Sequence, residues 1–173
     1  IVPLLRYKWP DPDDNASLAH SFEQSVEKYK NKNFIFFEDE TWTYSEINNA
    51  ANILAHKLIE DGISHGDKVI LFMENRPSYV STILALNKIG AVGVLINTSL
   101  KGEPLIHCIN SSNSKKCIFG AELSGSLEGV LSSINITAKS DIYWVQDLPN
   151  DNCPEWATAV SYTHLTLPTN SNV

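Results

Sequence analysis

The sequence predicts an α/β fold, a parallel doubly wound sheet layer preceded by a helix and a short hairpin. Short runs such as Val69 to Met73, Val92 to Ile96, Cys117 to Phe119 and Ile142 to Val145 are apolar at successive positions, as in strands covered on both faces. Each is separated from the next by a segment of helical periodicity. That length allows crossover connections, and hence parallel pairing with right-handed crossovers.

Taken in order, Trp9-Pro10-Asp11-Pro12-Asp13-Asp14 combines turn formers with two blocked backbone donors, so residues 1–16 read as an extended lead-in. Ser17 offers an N-cap to a helix with Leu18, Phe22 and Val26 on one face. Phe34 to Phe37 and Trp42 to Tyr44 flank the acidic linker Glu38-Asp39-Glu40-Thr41 and predict a hairpin. Ser45 is expected to cap the next helix, whose stripe runs through Ile47, Ala50, Ala51, Leu54, Leu58 and Ile59 to a terminating Gly62. Pro77 starts a helix that ends at Gly90. Further helices are expected around Glu103 to Ile109 and from about Glu122 to Ile134. No internal repeat of twenty to fifty residues is visible.

Composition narrows the function. Of 173 residues, 43% are hydrophobic and 19% charged, as in a chain able to bury a core. The net charge of -7, with Lys115-Lys116 as the densest basic run, argues against nucleic acid as a partner. Cys108, Cys117 and Cys153 are odd in number and widely spaced, so buried free thiols are expected rather than disulfides or a zinc site. Sequons at Asn15, Asn97, Asn110 and Asn135 are no more than an Asn- and Ser-rich chain produces by chance. No run of about 18 apolar residues exists to span a membrane.

Searches for chemistry return scaffold. No Gly-rich loop is followed by Lys, and the cluster Gly120, Gly125 and Gly129 lies in a segment whose helical periodicity predicts close helix packing rather than phosphate binding. The five histidines include no pair spaced to place two metal ligands on one helix face. No Gly-X-Ser-X-Gly elbow is present. The most suggestive loop is Glu74-Asn75-Arg76-Pro77, between a strand end and a helix start, where open α/β sheets bind ligands. Arg76 meets an anion there or pairs with a neighbouring carboxylate.

A long ordered series of segments carries a family resemblance. Trp42-Thr43-Tyr44-Ser45-Glu46-Ile47, Gly66-Asp67-Lys68-Val69, Asn75-Arg76-Pro77 and Leu86-Asn87-Lys88-Ile89-Gly90-Ala91 resemble AMP-forming acyl-CoA synthetases. The segments Leu95 to Leu105 and Ile118 to Leu123, with Cys108, are similar to the fatty acid transport protein or very-long-chain branch. The likeness runs from about Ser17 to Glu122 and weakens toward Asp147. It implies the amino-terminal part of an adenylate-forming enzyme's large domain, with residues 17–157 as a partial AMP-dependent synthetase/ligase domain. It also implies fatty acid, ATP and CoA as partners, Mg2+ as assistant, and an acyl-adenylate intermediate.

That family's phosphate loop, adenine and ribose contacts and mobile Lys lie outside these segments, so no catalytic, cofactor-binding or metal residue is expected here, and this stretch alone is expected to be inactive. Membrane association at the endoplasmic reticulum, peroxisome or plasma membrane is implied by the resemblance, through residues upstream of Ile1. Uptake as the dominant role and a truncated, non-catalytic interaction module are the alternatives. The Thr-rich stretch Val160 to Asn170 breaks the rhythm and resembles translated adapter sequence, so residues 158–173 are expected to be a non-native or disordered tail, with a native polar terminus as the alternative.

Overall fold

A computed structural model describes residues 17–146 and 150–160. The expected lead-in 1–16 and residues 161–173 of the expected tail lie outside the described residues.

Helix α1 (Leu18–Tyr29) starts where expected: the Ser17 hydroxyl accepts the His20 N–H at 3.0 Å. Strands β1 (Asn33–Phe37) and β2 (Glu40–Thr43) pair antiparallel. The hairpin turn is tighter than the four-residue linker expected, because Glu40 pairs with Phe37 and Thr41 with Phe36; Glu38 takes a positive φ of 50° to close it. Phe22, Phe34 and Tyr44 gather with ring centroids 4.5 to 5.7 Å apart and fasten α1 to the hairpin.

Helix α2 (Tyr44–Glu60) is capped by Thr43, not Ser45. The Thr43 hydroxyl accepts the Glu46 N–H at 3.2 Å, and the Glu46 carboxylate accepts the Thr43 N–H at 2.7 Å. This reciprocal box satisfies two otherwise orphaned donors, which a cap at Ser45 would not do. Gly62 ends the helix at a φ of 83°, in the left-handed region that favours glycine.

The main sheet holds β3 (Lys68–Phe72), β4 (Val92–Leu95), β5 (Lys116–Gly120), β6 (Ile142–Val145) and β7 (Thr158–Ala159), in the order β4-β3-β5-β6-β7. Every neighbouring pair is parallel. Between them lie α3 (Pro77–Lys88), α4 (Gly102–Ser112) and the short α5 (Ser124–Glu128). One core cluster joins Leu54, Leu58, Leu71, Leu84 and Ile118, packing α2 and α3 on one face. The other joins Ile70, Phe72, Leu105, Ile109, Phe119 and Leu127, packing α4 and α5 on the opposite face. Helices on both faces make the layer doubly wound, as the sequence predicts.

Four further expectations need correction. The helix expected over Glu122 to Ile134 is three short pieces: a 3-10 turn at Ala121–Leu123, α5, and a second 3-10 turn at Leu131–Ser133. Glycine at 125 and 129 raises the entropic cost of helix there. Close packing does not explain these glycines, because a Cβ at Gly125 would meet nothing within 4 Å. Coverage on both faces fails at β4, where Val92 is 47% and Leu95 55% exposed. Finally, Thr158 and Ala159 lie beyond the boundary expected at 157, yet pair with Tyr143 and Trp144 as β7, and the Val160 N–H reaches the Trp144 carbonyl at 2.8 Å. A two-residue strand leaves no periodicity to read.

Candidate functional site

At the carboxyl edge of the sheet, β3 leads to α3 on one face, whereas neighbouring β5 leads to α5 on the other. Connections that diverge in this way create a switch-point crevice, where open α/β sheets bind ligands. Two loops border it, Met73 to Arg76 and Gly120 to Leu123.

Arg76 occupies the crevice and pairs with Glu122; the two side chains are 8% and 17% exposed. The Glu122 carboxylate also accepts the Glu74 N–H at 2.8 Å. The pairing proposed for Arg76 from sequence is therefore the arrangement found, and Glu122 is its partner. Local sequence carried no sign of that choice, because the two residues meet only through the parallel register of β3 and β5, with Phe72 beside Phe119. Gly120 makes the arrangement possible, since a Cβ there would collide with the Glu122 carboxylate.

Beside this pair runs an open groove of about 410 Å³ lined by Lys101, Gly102, Glu122, Gly125, Ser126 and Gly129, among others. It collects two of the three glycines singled out from sequence along its wall. A second groove, of about 330 Å³, lies among α1, α2 and α3; His20 and His56 line it with Lys88, which pairs with Glu23. His65 packs its ring against Gly90 instead. Among the described residues no group of three or more His, Cys, Asp or Glu side chains is placed to hold a metal ion.

The thiols are free. Cys117 is fully buried, and burial pushes its thiol up to about 12, which keeps it protonated and unreactive at neutral pH. Cys108 and Cys153 are only half-buried, so the expectation of burial holds for Cys117 alone. Burial also raises the Cys153 thiol.

At the other edge of the sheet, a polar set ties α2 to the strands. The Tyr143 hydroxyl donates to Asp61 at 2.5 Å, and Lys57 holds the same carboxylate at 2.7 Å. Burial opposes ionisation of Asp61, but the hydrogen bonds from Lys57 and Tyr143, with the charges of Lys57 and Lys116, hold its carboxyl below the usual range. The Tyr143 phenol is pushed up by burial, then by its bond to Asp61. Sequence reasoning missed this set: Lys57 and Asp61 are four residues apart at the end of α2, but Tyr143 and Lys116 join them only after the sheet forms.

A parallel layer with a switch point between β3 and β5 defines a doubly wound α/β architecture, and it has counterparts among solved adenylate-forming enzymes. The anthranilate CoA ligase AuaEII, in complex with anthranoyl-AMP, superposes with a TM-score of 0.71 at 20% identity, over 82% of this chain and 27% of that one. A long-chain-fatty-acid-CoA ligase (FadD1) from Archaeoglobus fulgidus gives 0.64 at 24% identity, over 80% and 30%. At these identities the likeness shows the fold.

The sequence itself goes further: residues 22–164 match the AMP-binding enzyme family, and the chain belongs to that family. Long-chain fatty acid transport protein 2 of Rattus norvegicus is 31% identical over 137 residues, 79% of this chain and 22% of its own length. Long-chain fatty acid transport protein 6 of Mus musculus is 33% identical over 120 residues, 69% of this chain and 19% of its own. The chain thus spans about a fifth of the length of the curated relatives it matches.

Proposed function

We propose that the protein carrying this chain is an AMP-forming fatty acid–CoA ligase acting on long or very long acyl chains, and that residues 17–160 supply a scaffold layer of its adenylating domain. The observation that carries the reading is the 31% identity to a long-chain fatty acid transport protein over 79% of the chain, within the wider AMP-binding match. In such a ligase the fatty acid carboxylate attacks ATP to give an acyl-adenylate and pyrophosphate. The CoA thiol then displaces AMP to give the thioester.

The described residues do not fit a Mg2+–ATP site of their own. Arg76 is committed to Glu122, no metal-ligating group is assembled, and no Lys follows the glycines of the groove. In this reading nucleotide, metal and CoA contacts come from chain outside these residues, and the residues named here act as scaffold.

The test has two arms. The 173-residue chain, given ATP, Mg2+ and a long-chain fatty acid, is expected to release no pyrophosphate above background; fatty acid-dependent release would overturn the scaffold assignment. The whole protein, expressed from its complete coding sequence, is expected to form acyl-CoA. Failure there with long and very long fatty acids alike would overturn the ligase assignment.

The names of the relatives favour a second reading, in which membrane-associated uptake of fatty acid dominates. Among the described residues no helix is long and apolar enough to cross a membrane. Uptake of labelled fatty acid by cells expressing the whole protein, persisting when acyl-CoA formation is blocked, would favour it over the ligase.

A further inference from the structure

We propose that Arg76, Glu122 and Gly120 form a three-part latch that locks the loops after β3 and β5 into one unit across the switch point. The wall of the groove beside Lys101 and Ser126 is thereby set before any ligand arrives. The inference rests on the geometry of the crevice and does not depend on the substrate assigned above.

Three observations converge on it. The connections after β3 and β5 leave toward opposite faces of the sheet, so their loops share no helix and have no covalent reason to move together. Glu122 nevertheless joins them twice, through the Arg76 guanidinium and through the Glu74 N–H. Gly120 is the residue whose missing side chain leaves room for that carboxylate. Because Arg76 is nearly enclosed, losing the Glu122 carboxylate would weaken the pairing of a largely buried charge, which costs more than losing an exposed ion pair. Glu122 also lines the groove, so fixing it fixes that part of the groove wall. A wall held in place binds without the cost of ordering it first.

The reporter is hydrogen exchange at the Glu74 amide in the full 173-residue chain. Glu74 is exposed and lies outside every helix and strand, yet its amide is expected to exchange at least about tenfold more slowly than an unbonded loop amide, as a charge-assisted hydrogen bond implies. Glu122→Ala should abolish that protection, Arg76→Gln should remove most of it, and Arg76→Lys should keep a large part by retaining the charge. Amides of β3 and β6 should stay protected in all three. A Glu74 amide that exchanges freely in the unaltered chain while β3 is protected would overturn the latch, and so would Arg76→Gln leaving it within about twofold. Should Glu122→Ala fail to fold, the unaltered chain and the Arg76→Lys variant still decide the matter.

Discussion

The central strands and the β4 edge have similarly apolar sequences and opposite surroundings. Val69, Ile70, Leu71 and Phe72 of β3 are all at most 1% exposed, whereas Val92 and Leu95 of β4 lie about half in solvent. An apolar run therefore identifies a strand without saying whether anything covers it. Coverage depends on position in the sheet, and β4 is terminal.

The comparison breaks most readily at the centre. Phe119, fully buried in β5 and stacked on Trp156 at 5.2 Å, should lose about 3 to 5 kcal/mol on Phe119→Ala in urea denaturation. Leu95→Ala at the edge should cost less than about 1 kcal/mol. Equal losses would remove the distinction between the regions.

Between these extremes lies Tyr143→Phe, which removes the donor to Asp61 without opening a cavity. A loss of about 1.5 to 3 kcal/mol is expected for a buried hydrogen bond to a carboxylate, nearer the lower figure because Asp61 is 23% exposed. The same carboxylate gives a pH dependence of defined sign. Its folded pKa lies below the unfolded value near 4, so its contribution is complete above that value and is lost as pH falls through the folded one. Asp61→Asn should flatten the acid limb of a stability profile; an unchanged limb would remove Asp61 from the account.

Smaller again is the cap of α2. Thr43→Ala should cost about 0.5 to 2 kcal/mol, while Ser45→Ala, inside the first turn, should change thermal stability little. The smallest stability effect, within about 0.5 kcal/mol, is expected for Leu95→Lys. Its readout is association: sedimentation should show less self-association, because a charge on an exposed apolar edge discourages pairing between copies.

Element type was legible wherever the signal was local. Ser17 and Pro77 start helices and Gly62 and Gly90 end them, each as the sequence implies. The cap of α2 was also legible, because Thr43-Tyr44-Ser45-Glu46 spells the reciprocal pattern of hydroxyl and carboxylate three residues apart, but Ser45 offered the same hydroxyl and drew the assignment. What stayed hidden was set by distance in the chain. The partner of Arg76, the exposure of β4 and the Tyr143–Asp61 bond all follow from strand order, and strand order leaves no mark on any single segment. The β5–β6 connection failed for a different reason: Leu123, Leu127 and Val130 are indeed buried together, but turns alternating with a short helix bury them as well as one continuous helix would.

Strand order also dictates a history. As the chain is synthesised, β3 has no parallel neighbour until β4 follows it, and β5 then joins the opposite side. From that moment the sheet lengthens in one direction only, through β6 to β7. The β4 border is the first to be made and is never revisited by the described residues, so it stays exposed while everything after it is still emerging from the ribosome.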